Sequence, residues 1–128
     1  MPLIISVSPD DLSNTEFIDT FEASQVVFVL PSSVLDDKKA MEHCHKLNGQ
    51  GYRFGLDVDT TEILKKIPVA DFDSVRFDAA FARQELSAFN LMYLDKAGFR
   101  KIATDVGTHE MFGWLQEKGF ELYGSHFL

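Results

Sequence analysis

The sequence has few features that would place it in a membrane, on nucleic acid or in an oxidising compartment. Its one cysteine, Cys44, cannot form an internal disulfide, which fits a reducing cytoplasm. No apolar run approaches the roughly 18 residues of a membrane span, and the N-terminus MPLIISVSPDD lacks the regions of a signal peptide. No cluster of Lys or Arg stands out, and the formal net charge is -8. This charge argues against nucleic acid and anionic membrane surfaces as partners.

The sequence does contain apolar, strand-like runs at regular intervals. Its 128 residues are 45% hydrophobic and include 12 Phe, which suits a single domain over residues 1–128. The runs are continuous, which is typical of strands covered on both faces of a parallel sheet. We predict six strands, at residues 3–8, 26–31, 52–58, 74–79, 101–106 and 121–127.

Helix-like stretches separate these runs and predict right-handed βαβ units. They cover residues 8–24, 32–51, 60–72, 79–99 and 108–120. The strongest is 79–99, and its predicted apolar set is Phe81, Leu86, Phe89, Met92 and Tyr93. The fold class is therefore α/β, with about six mainly parallel βα units.

Three predicted strands end in an acid: Asp57, Asp78 and Asp105. Function in such sheets collects at the carboxyl ends of the strands. Three carboxylates there could hold a divalent cation, but Asp and Ser after a strand also commonly cap the next helix. Both readings stay open on spacing alone. Cys44 lies on an apolar helical face and is interpreted as a core residue.

The order of these units resembles a known family. The segments are IISVSPDDLSNTEF, VVFVLPSS, GYRFGLDVD, IPVADFDSVRFDAAF and GFRKIATDVGTHEMFGWLQEKGFELYGSHFL. Together they resemble the C-terminal two-thirds of an EAL domain, the bacterial cyclic-di-GMP phosphodiesterase domain. The resemblance implies a partial TIM-type barrel, truncated at its N-terminus because the Glu-Ala-Leu signature is absent. It is nearest to the EAL domains found ahead of HDOD domains.

The resemblance also implies that most metal ligands of the family are replaced here. Ser6 stands where the family has a metal-binding Asn, and Val29 where it has a metal-binding Glu. Of a pair of aspartates, Asp57 remains and the second position is Val58.

The later strands continue this pattern. The catalytic Lys of the family falls at Arg76, and the following Asp survives as Asp78. Two Glu positions fall at Thr104 and Gly107, and a Gln falls near Gly124. Divalent ions need a dense oxygen shell, and neither valine can supply one. We therefore expect Asp57, Arg76 and Asp78 to form an internal ion cluster rather than a catalytic site.

Two functions follow as hypotheses. The first is a catalytically inactive EAL-like module, without a cofactor, that serves bacterial signal transduction in the cytoplasm by binding a protein partner or an attached domain such as HDOD. The alternative is residual cyclic-di-GMP binding or phosphodiesterase activity with magnesium or manganese, in which Asp57, Arg76, Asp78 and Asp105 contact the ligand. A receiver-like domain fits less well, because LIISVSPDDL has no acidic pair directly after the strand.

Six strands are fewer than the eight of an ordinary barrel, so we expect open edges at 3–8 and 121–127. The chain could be a piece of a longer protein, could pair its edges with another copy, or could relax into an open flavodoxin-like sheet. We favour the first of these, a piece of a larger signalling protein, and expect the isolated chain to form a homo-oligomer through these edges.

Overall fold

The computed structural model describes residues 2–122, in which six parallel strands form one sheet in sequential order. Five of the predicted strands are confirmed, and their ends differ from the prediction by no more than two residues. The predicted run 121–127 lies mostly outside the described residues. With helices on one face, the sheet forms a half-barrel. The strands are β1 (Leu3–Ser6), β2 (Val26–Leu30), β3 (Arg53–Asp57), β4 (Ser74–Asp78), β5 (Arg100–Thr104) and β6 (Phe120–Leu122).

Helices follow the strands, several after a short 3-10 helix. The α-helices are α1 (Thr15–Asp19), α2 (Lys38–Gly49), α3 (Ala79–Glu85), α4 (Ala88–Ala97) and α5 (His109–Glu117). The 3-10 helices cover Pro9–Ser13, Ala23–Gln25, Ser32–Asp36 and Thr61–Lys66. The predicted helix 8–24 is thus three short pieces, because Asn14 accepts a hydrogen bond from the Phe17 N–H and starts a new helix.

The predicted helix 79–99 is two helices. The Ser87 hydroxyl accepts a hydrogen bond from the Asn90 N–H at 3.1 Å, and the Asn90 side chain accepts one from the Ser87 N–H at 2.9 Å. This reciprocal cap stops α3 and begins α4. The predicted apolar set is wrong for Phe89 and Met92, which are exposed, because α4 instead turns Leu94 into the core.

The two faces of the sheet differ in what covers them. One face packs its apolar side chains against the helices and includes Phe28, Phe54 and Phe77. Cys44 of α2 is fully buried in the same core, which confirms its predicted position. Because side chains alternate along a strand, the opposite face carries Val29, Arg76 and their register partners.

The middle of that opposite face is tightly closed. Val29, Gly55 and Ser74 are register partners on three neighbouring strands. A Cβ added at Gly55 would lie 2.6 Å from the Ser74 Oγ and 3.3 Å from a Val29 methyl group, so only glycine fits there. Ser74 is fully buried, and its hydroxyl has no hydrogen-bond partner among the described residues.

The sheet has two outer strands within residues 2–122. In this range, β1 pairs only with β2, and β6 pairs only with β5. Val7 donates its N–H to the Val29 carbonyl at 2.9 Å. Because N–H groups alternate in direction along a parallel strand, the N–H groups of Ile4 and Ser6 face away from the sheet. Among the described helices, none combines the length and apolar character of a bilayer-spanning segment.

Candidate functional site

The carboxyl ends of four strands surround an open pocket of about 480 Å³. The parallel arrangement brings these ends to one edge of the sheet, and the residues after each strand form the walls. All four sequence-predicted site residues line this pocket: Asp57, Arg76, Asp78 and Asp105. It is also lined by Pro31, Ser32, Val58, Asp59 and Thr104.

The centre of the site is an ion pair between β3 and β4. Asp57 and Arg76 are register partners, so their side chains leave the sheet side by side. The Arg76 Nε and Nη2 atoms each donate a hydrogen bond of 2.7 Å to the Asp57 carboxylate. The Arg76 Nη2 atom also donates to the Ser6 Oγ at 2.7 Å. Since both carboxylate oxygens accept from the guanidinium, Asp57 has reduced capacity to bind anything else.

Asp78 has a different partner from the one expected. Its carboxylate accepts a hydrogen bond from the Phe81 N–H at 3.2 Å and caps the start of α3. The described hydrogen bonds of Arg76 go to Asp57 and Ser6, so the expected three-residue ion cluster is a pair in which Asp78 takes no direct part.

Asp105 directly follows β5 and has a left-handed backbone conformation, with φ of 59°. Asp tolerates this conformation better than most residues because its short polar side chain can hydrogen-bond locally. Its carboxylate accepts a hydrogen bond from the Thr104 hydroxyl at 3.3 Å. Asp105 therefore lines the pocket and also forms part of the turn that leads to α5.

The donor atoms present do not fit a divalent cation. Val29 and Val58 are buried and have no coordinating atom. Asp57 is occupied by Arg76, and Asp78 by a helix N-terminus. Within residues 2–122, no three His, Cys, Asp or Glu side chains are grouped closely enough to hold a metal ion.

A second ion pair lies on the same face of the sheet, between β5 and β6. Arg100 donates hydrogen bonds of 2.8 and 2.7 Å to the two carboxylate oxygens of Glu121. The pKa of Glu121 is lowered overall, mainly because of these hydrogen bonds. Partial burial acts in the opposite direction, and the positive charge of Arg100 lowers the pKa further. Arg100 is the first residue of β5, so this pair lies toward the amino ends of the strands and does not line the strand-end pocket.

Comparisons with solved structures identify the fold. EAL enzyme Bd1971 in its cGMP-bound form superimposes with a TM-score of 0.72 and 14% identity, over 96% of this chain and 38% of that chain. The EAL domain of Mycobacterium smegmatis DcpA superimposes with a TM-score of 0.68 and 19% identity, over 97% of this chain and 66% of that chain. Vibrio cholerae LapD, in its S helix-GGDEF-EAL form bound to c-di-GMP, superimposes with a TM-score of 0.66 and 20% identity. The match covers 96% of this chain and 36% of the LapD chain.

The fold is EAL-like and corresponds to part of an EAL domain. At these identities the likeness concerns architecture, and this chain spans well under two thirds of Bd1971 and LapD. The sequence matches no protein-family profile and no curated protein.

Sequence reasoning placed the site residues at one edge of the EAL-like sheet and expected Asp57 and Arg76 to interact, but it wrongly added Asp78 to their cluster. It considered Ser6 only as a replaced ligand, whereas Ser6 holds the guanidinium of Arg76. The signal for the Asp57–Arg76 pair was the strand register, because opposite charges at equivalent ends of adjacent strands attract. Nothing in the spacing of Asp78 distinguished a helix cap from an ion cluster.

Proposed function

We propose that this EAL-like domain is a catalytically inactive regulatory or protein-interaction module of bacterial cyclic-di-GMP signalling in the cytoplasm. The observation that carries the proposal is the bidentate Asp57–Arg76 pair at the centre of the strand-end pocket. In this pair the guanidinium neutralises the Asp57 carboxylate, which a metal ion would need as a ligand. The carboxylate in turn neutralises Arg76, the cation that a phosphate group would need.

Two other acids of the pocket and two buried valines support the same interpretation. Asp78 and Asp105 serve a helix start and a turn, and Val29 and Val58 stand where the resemblance implies metal ligands. Phosphodiester hydrolysis assisted by metal ions requires that the ions be held by several oxygen ligands. A domain that keeps the strands but lacks this ligand set is suited to binding rather than hydrolysis.

We propose further that the module acts together with an attached signalling domain. An HDOD domain is the attachment that the resemblance implies. The gene sequence flanking the region that encodes residues 1–128 tests this directly. A reading frame that continues into an unrelated enzyme domain would contradict it.

Calorimetry with cyclic-di-GMP tests the loss of the site, with no metal and then with Mg²⁺ or Mn²⁺. We expect no binding heat at micromolar ligand and no linear dinucleotide product by chromatography. Bd1971, whose structure has been solved with cyclic-di-GMP bound, serves as the positive control. Metal-dependent micromolar binding or turnover would instead establish the alternative function.

The variant Arg76→Lys provides a matched control, because it places the family's residue type at this position. We expect it to remain inactive, since the ligand positions at Val29 and Val58 are unchanged. Activity gained by this single change would show that the metal site had been preserved.

A further inference from the structure

A second groove shares no lining residue with the strand-end pocket. It has a volume of about 410 Å³ and runs between α4 and the 3-10 helix Thr61–Lys66. Leu64, Phe89, Met92 and Tyr93 supply its apolar surface. Phe89 is 78% exposed and Met92 is 49% exposed. Side chains this exposed project from the surface, so the groove suits an extended partner surface better than an enclosed small molecule.

Helix α4 is apolar on two sides. Leu94 is fully buried, and Leu91 packs against the same core. Phe89, Met92 and Lys96 follow at intervals of three and four residues and so share the opposite side. An apolar stripe on a helix is normally packed against another surface, so the exposed Phe89 and Met92 mark this side of α4 as a contact surface. Along one margin of the groove, the outer side of α4 lies beside the 3-10 helix Thr61–Lys66.

The charge of the groove is opposite to that of the chain. Lys65 and Lys96 line it together with one carboxylate, that of Glu62, whereas the whole chain carries -8. Neither lysine takes part in an ion pair with any residue that the structure describes. Two available ammonium groups beside an apolar stripe complement a segment with carboxylates beside its own apolar stripe.

We propose that α4 and Thr61–Lys66 form a docking groove for an acidic amphipathic helix of a partner protein. The proposal rests on the proposed function as an interaction module and names the chemistry of its partner. Phe89 and Met92 act as anchors, since an aromatic ring and a flexible thioether adapt well to an incoming apolar side chain. Lys65 and Lys96 fix the register of the helix through its carboxylates.

A library of displayed helical peptides tests the groove. Every peptide carries the same apolar stripe, and the positions flanking the stripe vary between Glu and Lys. We expect selection on the whole chain to enrich Glu at these positions. For the best soluble peptide, Phe89→Ala and Lys96→Glu should each weaken binding at least about tenfold by fluorescence anisotropy. Added salt should weaken binding to the unaltered chain.

Matched controls lie elsewhere on the surface. Val69 is also exposed and apolar, at 59%, and Lys38 is an exposed lysine in the first turn of α2. Val69→Ala and Lys38→Glu should leave peptide affinity unchanged. Circular dichroism checks that each variant is folded. The assignment requires that Phe89→Ala and Lys96→Glu both weaken peptide binding.

Three outcomes would overturn the groove assignment. They are a selection without Glu enrichment, a selected peptide insensitive to both groove variants, and a fall in molar mass on Phe89→Ala in light scattering. The last would assign the groove to a second copy of the chain. None of these outcomes bears on the proposed function. Hydrolysis of cyclic-di-GMP would overturn that function but would leave the affinity for the peptide unchanged.

Discussion

Arg76 shows how one residue can change what a strand end does. Its side chain is 16% exposed, and that of Asp57 is 44% exposed. The planar guanidinium engages both carboxylate oxygens, which a lysine ammonium at the same position could not do with this geometry. The pair joins β3, β4 and, through Ser6, β1. A position that the resemblance links to catalysis therefore contributes here to cohesion of the sheet.

The first prediction concerns this pair. Arg76→Met should lower the free energy of unfolding by about 1–3 kcal/mol, because it leaves a half-buried carboxylate without its charged donor. Urea denaturation measures the change. Arg76→Lys should lower the free energy of unfolding by less than Arg76→Met does. The double variant Asp57→Asn with Arg76→Met should lower it by less than the sum of the two single variants. Fully additive effects would contradict the pairing.

The second prediction concerns Cys44. Burial, and secondarily the charge of Asp71, raises the pKa of Cys44 to about 12. The thiolate fraction at pH 8 is therefore very small, and a disulfide reagent should react at least about a hundredfold more slowly with the folded chain than in denaturant. A reaction at the denatured rate under native conditions would place this thiol at the surface.

The same residue gives a pH dependence with a defined sign. The folded chain holds the thiol proton more tightly than the unfolded chain does. The stability from this group is complete below pH 9.0 and is lost as the pH rises toward about 12. Cys44→Ala should flatten this part of the curve of unfolding free energy against pH.

At the scale of elements, strands were easier to predict than helices. Val26–Leu30 is buried at every position, so a continuous apolar run identified it without reference to tertiary structure. The break between α3 and α4 was missed because apolar residues continue across it at helical spacing. Ser87 and Asn90 carried the signal, since a hydroxyl followed three residues later by a side-chain acceptor is a helix start. That omission also hid the outer groove, because it assigned Phe89 and Met92 to the core.

The third prediction concerns a buried cation that ties three elements together. Lys101 of β5 is 4% exposed and donates to the Asp95 carboxylate of α4 at 2.5 Å and to the Lys118 carbonyl after α5 at 2.6 Å. Asp95→Ala should lower the unfolding free energy by about 1–3 kcal/mol, because a buried ammonium loses its counter-charge.

Lys101→Met is the matched change. It should stay within about 1 kcal/mol of the original chain, since an apolar side chain of similar length replaces the buried charge and the exposed Asp95 returns to water. Thermal or urea unfolding compares the two. A larger loss for Lys101→Met than for Asp95→Ala would show that the ammonium itself is the stabilising group.

At the scale of the whole molecule, the half-barrel leaves β1 as an outer strand of the sheet within residues 2–122. Leu3 on β1 is 57% exposed, and the outward N–H groups of this strand are unpaired within the described residues. An apolar edge without charge is a template for further strand pairing.

The fourth prediction is that the chain self-associates through its edges at tens of micromolar, as measured by light scattering. Ile4→Pro removes an outward N–H without breaking a bond to β2, and Leu3→Lys adds a charge to the edge, so each should lower the molar mass. Val69→Lys, an equivalent change away from the edges, should not. A strictly monomeric parent chain would contradict this prediction.

The close approach of Gly55 to Ser74 also limits how deeply anything can enter the half-barrel. Gly55 leaves no space for one further carbon atom between Val29 and Ser74, so this layer of the sheet is closed at its centre. A ligand of the strand-end pocket would therefore be held above this layer, by the residues that follow the strands.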